Sequence, residues 1–220
     1  MKTVEGRPQS LGEEIANSLS HGVVLIAAII AVPTLLVTTA RHGGAVDVIG
    51  ASVFSGTVVL LYFASCIYHA VPWQRAKAIC RRLDHGAIFL MIAGTYTPFT
   101  LGVLQGPRGW TLFGLVWIVA TVGIVLKARD RLAHPVCSLA LYLIMGWLIV
   151  IAIDQLLERV PAEGLWLLGA GGFAYTAGVA FFATDSRVRY GHFVWHLFVV
   201  AGTACHFFAV LWYSAAPVAA

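Results

Sequence analysis

The residues best suited to chemistry in this chain are histidines. His192 and His196 stand four apart, so on a helix they share one face. His69 follows Ser65 at the same spacing, and Asp84 lies fifteen residues further on. Three imidazole nitrogens with an open fourth position form the donor set of a catalytic zinc site, where bound water becomes acidic enough to act as a nucleophile near neutral pH. A carboxylate such as Asp84 suits a proton shuttle or the orientation of a ligand ring. A hydroxyl such as Ser65 suits a hydrogen bond to that water or to a substrate carbonyl. Zinc is the first choice by ligand type, although imidazole sites also take copper, nickel and iron. The plainer reading of the His-x-x-x-His pair is two interfacial histidines facing lipid headgroups. What separates the readings is whether the chain brings the other groups to the same place.

The elements that must do so are hydrophobic. Of 220 residues, 60% are hydrophobic and 11% charged, against about a quarter charged in an ordinary soluble domain. The mean hydropathy is +0.85. This excludes a soluble globular domain and a disordered chain. Four cysteines in or beside apolar runs are not a disulfide framework. A net charge of +4 with no basic face left over excludes nucleic acid as a partner.

Seven runs are long enough to span a bilayer, at 22–40, 48–71, 83–104, 109–126, 136–153, 164–183 and 192–213. Unbroken apolar runs mean helices, because lipid offers the backbone no partners, and the strict alternation of a β-barrel is missing. The expectation is an all-α membrane protein, one seven-transmembrane helix bundle. Its leader mixes Glu5, Glu13 and Glu14 with Lys2 and Arg7, so the first run reads as an uncleaved span.

Charge orients the bundle. One side carries eleven Lys and Arg (Lys2, Arg7, Arg75, Lys77, Arg81, Arg82, Lys127, Arg129, Arg131, Arg187, Arg189); the other carries Arg41, Arg108 and Arg159. The positive side is cytoplasmic, which puts the N-terminus in the cytoplasm and the C-terminus, with its uncharged tail 214–220, outside. His69 then ends the second span at the inner face. Asp84 and His85 begin the third there, and His192 and His196 begin the seventh. Glu14, Asn17 and His21 lead into the first, and Asp185 closes the sixth. Three His, one Asp and one Ser thus converge at one membrane face, a conclusion that rests on topology rather than on any single motif.

Other residues have plainer readings. His206 lies fourteen residues past His192, roughly 21 Å along a helix, and reads as a hydrogen-bonded bundle histidine. His85 points about 100° from Asp84 and reads as interfacial. His42 and His134 read as solvated, Cys66 and Cys205 as packing residues, and Cys80 as a reduced cytoplasmic thiol. Pro98 should kink the third span, with Thr95 or Thr97 serving the freed carbonyl. Ala170, Ala174 and Gly178 form a small-residue stripe suited to close packing. Trp73, Trp110 and Trp212 suit interfacial belts. No charged residue falls within a span in the outer half, which argues against an ion path across the membrane.

Several motifs together resemble the bacterial hemolysin III group of the progestin and adiponectin receptor (PAQR) family over nearly the whole chain. They are Glu14-x-x-Asn17-x-x-Ser20-His21, Ser65-x-x-x-His69, Arg82-Leu83-Asp84-His85, Ala93-Gly94-Thr95-Tyr96-Thr97-Pro98-Phe99, Gly171-Gly172-x-x-Tyr175-x-x-Gly178, and His192-x-x-x-His196 followed by His206. The resemblance implies a seven-helix fold with an inside N-terminus, and zinc held by His69, His192 and His196 with Asp84 and Ser65 beside the metal water. It further implies a bacterial inner membrane location, and relatives that act on lipid amides such as ceramide or serve membrane homeostasis.

The function expected is a zinc-dependent hydrolase of a lipid amide or ester, with membrane lipids as partners and a substrate entering from the inner leaflet. The alternatives are a non-enzymatic membrane sensor or regulator with structural zinc, and a cytolysin. A secreted pore former must first be soluble, which seven apolar spans do not allow.

Overall fold

The computed structural model describes residues 7–132 and 135–215. Lys2, Glu5, His134 and the tail beyond 215 lie outside the described residues. Seven helices are long and apolar enough to cross a membrane, and no strand occurs among the described residues. They are α1 (Leu11–His42), α2 (Ala45–Ala70), α3 (Gln74–Pro98, continued as a π-helical turn Phe99–Leu104), α4 (Gly106–Ala128), a fifth span of three pieces, α7 (Ala162–Thr184) and α8 (Gly191–Tyr213). The fifth span comprises α5 (Pro135–Gly146), a 3-10 turn Leu148–Ala152 and α6 (Ile153–Arg159).

Consecutive helices pack side by side from α1 to α4, α7 lies along α8, and α8 returns to α1. The fifth span touches α3, α4 and α7. α3 is the most enclosed, with 78% of its most apolar window buried.

Helix α1 begins eleven residues before its apolar run, at Leu11. Ser10 and Glu13 explain the early start. The Ser10 hydroxyl accepts from the Glu13 amide, and Glu13 Oε2 accepts from the Ser10 amide at 2.8 Å, a capping box that satisfies two terminal donors. Glu14, Asn17 and His21 therefore lie within the helix on one face rather than ahead of it. Glu13 also takes both Arg7 guanidinium nitrogens and the Tyr190 amide at 2.9 Å. Those bonds push the Arg7 guanidinium further above its ordinary pKa. The start of α1 is thereby pinned to the left-handed Tyr190 (φ 59°) at the start of α8.

Three sequence expectations change. Pro98 ends the α-helical ladder by passing it into the π turn, and Thr97 Oγ1 donates to Ala93 O, its own fourth-preceding carbonyl, at 2.8 Å. The face of α7 that meets α8 carries three glycines seven residues apart, Gly164, Gly171 and Gly178; of the expected stripe Gly178 takes part, while Ala170 is exposed. A Cβ at Gly164, Gly171 or Gly178 would collide with Tyr213, His206 or Trp195 and Phe198 respectively. Finally, the end of the bundle opposite the histidines does hold a buried charged residue, because α2 starts at Ala45 and includes Asp47. Asp47 is 8% exposed and caps the Gly44 amide at 2.8 Å, where an acid favours the helix N-terminus.

The fifth span breaks at a tyrosine. Tyr96 of α3 donates to Gly146 O at 2.7 Å and accepts from the Ile149 amide at 2.9 Å. Both groups leave the helical ladder at the 3-10 turn, and one hydroxyl satisfies both, as a broken helix in an apolar medium requires.

Candidate metal centre

His69 comes from the last turn of α2, and His192 and His196 from the first two turns of α8. One ring nitrogen from each lies within 4.8 Å of the others, and all three side chains are buried. The His69 ring centroid is 5.1 Å from both His192 and His196, and those two are 4.8 Å apart.

Each ring is held from behind by a group that accepts from it. His69 Nδ1 donates to Glu14 Oε2 at 2.8 Å, and Glu14 Oε1 takes Lys77 Nζ at 2.9 Å. His192 Nδ1 donates to Asp185 Oδ2 at 2.9 Å. Ser20 spends its own proton on Asn17 O at 2.8 Å, so towards His196 Nδ1, 3.1 Å away, it accepts. All three imidazoles therefore carry their proton on Nδ1 and present a bare Nε2 lone pair. His69 Nε2 is buried with no partner in the protein. Carboxylate-backed imidazoles with free Nε2 lone pairs are the arrangement that orients metal ligands and raises their basicity. Three such nitrogens fit zinc with a position left for water or substrate.

A fourth imidazole belongs to this end of the bundle. His21 of α1 stacks on His196 with centroids 3.6 Å apart, meets Tyr62 edge-on at 4.8 Å, and shares a hydrogen bond of 2.8 Å between Nδ1 and Ser65 Oγ. Ser65 is thus oriented by His21. Of the Glu14, Asn17, His21 stripe, Glu14 reaches His69 and His21 reaches Ser65. Asn17 turns back to Gln9 at 2.7 Å.

The centre opens onto a cavity of about 380 Å³. Ser65, Asp84, His192 and His196 line it, and His69 meets it through its contacts with the other two rings. The remaining walls come mainly from apolar side chains of α3, the fifth span, α7 and α8, including Met91, Leu143, Ile149 and Val179. The 3-10 break at Leu148–Ala152 faces this space. His85, read from its angle as interfacial, also lines the cavity, between Tyr68 (6.5 Å) and Phe182 (6.3 Å). A helix of α3's length, starting at Gln74, places Asp84 and His85 three turns in rather than at its first turn.

Sequence reasoning missed Ser20 and Asp185 as partners of His196 and His192, and the place of His85. Ser20 stood inside the quoted motif and Asp185 at the right end of its helix. Neither spacing says which imidazole it meets, since the Ser20 to His196 contact joins residues 176 apart.

The chain is similar in sequence to known proteins over most of its length. The chain is 41% identical over 205 residues to Hemolysin-3 of Bacillus cereus, covering 93% of each protein. It is 38% identical over 204 residues to the Hemolysin-3 homolog of Bacillus subtilis (strain 168), covering 93% of this chain and 95% of the relative. It is 25% identical over 203 residues to the human Monocyte to macrophage differentiation factor, covering 90% and 83%. The model of the haemolysin-III related family matches residues 9–207, a range that contains all three buried histidines of the cluster and both carboxylates behind them. With its seven apolar helices and this match over most of its length, the chain is a multi-pass membrane protein that belongs to the haemolysin-III related family.

Proposed function

We propose that this chain is a zinc-dependent intramembrane hydrolase that cleaves a lipid amide or ester. One observation carries the reading: the three-histidine cluster, its Nε2 lone pairs bare, stands with Asp84 and Ser65 at the head of an apolar cavity. A purely structural zinc site closes its fourth position with a protein ligand, whereas among the described residues this set has three members.

His69, His192 and His196 would hold the zinc. When bound, zinc supplies Lewis-acid chemistry, polarising a carbonyl and making water nucleophilic near neutral pH. The chain supplies the rest. Asp84, 7% exposed, takes the proton from the attacking water and returns it to the leaving amine or alcohol. Ser65, held by His21, orients the carbonyl. The apolar walls take the acyl chain and keep bulk water from the reacting groups.

The charge pattern of the sequence supports an orientation for this reading. Eleven of the 14 Lys and Arg fall on the side of the spans where the sequence puts the histidines, and the positive-inside rule then has the centre face the cytoplasm and draw lipid from the inner leaflet of the cell membrane. A reporter fused after Tyr213 and active only outside the cytoplasm tests this; activity inside contradicts it.

The test of mechanism compares purified wild type with Asp84→Asn and with His192→Ala/His196→Ala. Wild type should carry about one zinc per chain and the folded double variant none. Asp84→Asn should keep its zinc and lose at least about 100-fold in turnover of a lipid amide or ester panel. No metal in well-folded wild type after zinc is offered removes the mechanism. Zinc without turnover, together with normal cell function in Asp84→Asn, favours the second reading: a regulator in which the metal clasps α2 to α8.

A further inference from the structure

In the second half of α8 the cavity wall carries a polar group that the metal chemistry does not use. His206 lines the cavity, is 9% exposed, and has no partner at Nδ1. Its Nε2 lies 3.3 Å from Leu168 O of α7. A carbonyl can only accept, so Nε2 carries the proton and Nδ1 of the neutral ring is a bare acceptor. An acceptor buried without a donor costs free energy that the fold must recover elsewhere or that a ligand removes.

The ring's place is built. Gly171 faces it, and a Cβ at that position would stand 2.6 Å from His206 Nε2. Tyr175 lies beside it, ring centroids 5.5 Å apart, and also lines the cavity. Tyr175 Oη is 3.0 Å from Thr203 Oγ1, whose single proton goes to Val199 O at 2.9 Å. Tyr175 therefore donates to Thr203, as Tyr62 does at 2.8 Å, and keeps a lone pair of its own. Two neighbouring groups on the wall of a mainly apolar space thus hold acceptors, and neither has a proton left to donate into it.

We propose that His206 and Tyr175 form a second ligand subsite that recognises a hydrogen-bond donor partway along the lipid chain. The donor is a hydroxyl or N–H, and the ligand class is a long-chain lipid hydroxylated near its middle. The subsite lies ten residues along α8 from His196, about 15 Å at the helical rise, so the donor sits about that far from the group held at the metal centre. This rests on the reading of the cavity as the acyl compartment and is independent of whether the centre turns over.

The test uses the full chain in nanodiscs and two fatty acids, 12-hydroxyoctadecanoic acid and octadecanoic acid, with binding read from tryptophan emission, since Trp147 and Trp195 line the cavity. Wild type should bind the hydroxylated acid about tenfold more tightly, the factor one net hydrogen bond of ordinary strength gives. His206→Leu should abolish the preference and Tyr175→Phe should reduce it, with octadecanoic acid bound as in wild type. Equal affinity of folded wild type for the two acids overturns the subsite alone. No binding of either acid overturns both the subsite and the acyl reading of the cavity. Zinc content, measured on the same samples, reports separately on the metal centre.

Discussion

Glu14 on α1 holds His69 on α2 through a 2.8 Å hydrogen bond to Nδ1, and its second oxygen holds Lys77 on α3 at 2.9 Å. One carboxylate thus ties three helices together and fixes the tautomer of the His69 ring. Asp185 fixes the His192 ring in the same way across the turn between α7 and α8. The geometry of the centre is set as much by these acids as by the imidazoles.

Glu14→Gln should therefore weaken zinc binding by about 10- to 100-fold without removing a ligand. A competition titration against a chromophoric chelator measures this directly. Unchanged affinity would show that His69 is held by packing alone. Asp185→Asn should behave alike.

His206→Ala should leave the zinc content of the purified protein unchanged, while His69→Ala should empty the centre. Elemental analysis of folded samples separates the two. Retained stoichiometric zinc in His69→Ala would mean that another side chain, with His21 the nearest candidate, completes the set.

Gly94 lets α3 lie against α2. A Cβ there would collide with Thr57 Oγ1 and with Thr57 Cβ, so one of the two helices would have to shift. Gly94→Ala should destabilise the bundle by about 1–3 kcal/mol, read from unfolding in detergent. Adding Thr57→Ala should restore part of the loss, and strict additivity of the two changes would argue that they do not meet.

Tyr96→Phe leaves Gly146 O and the Ile149 amide without their shared partner in an apolar setting. A loss of about 1–3 kcal/mol is expected for groups stranded this way, together with faster amide exchange confined to the 3-10 turn. Exchange unchanged at Ile149 would mean that the break is held by its own backbone.

Binding of zinc should depend little on pH near neutrality. Each imidazole is already neutral with a bare Nε2, so the metal displaces no imidazolium proton there, and affinity should fall only at a pH low enough to protonate the buried rings. Zinc affinity followed by competition titration between pH 8 and pH 5 checks this. A steep loss of affinity already between pH 8 and pH 7 would mean that the rings are charged before the metal arrives.

Much of this protein is legible one segment at a time. Apolar runs of span length dictate helices because lipid satisfies no backbone group, and the clustering of Lys and Arg at one set of loops gives each helix a direction. Direction alone brings the C-terminal His69 of α2 to the level of the N-terminal His192 and His196 of α8, since neighbouring spans alternate. The helical repeat adds that His192 and His196 share a face. These are local regularities, with periods of a few residues, and a single sequence carries them in full.

The tertiary structure decided what lies across the helices. Which acceptor meets which imidazole depends on rotation and depth between segments 55 and 176 residues apart, and nothing in the spacing encodes it. The capping box moved the start of α1 back to Leu11 because its stabilisation is polar and hydropathy does not register it. Tyr96 could break the fifth span only once α3 lay against it, and Gly171 could seat His206 only once α7 lay along α8. Helix identity follows from local chemistry; the pairing of side chains follows from packing, and packing is settled only when all seven helices are in place.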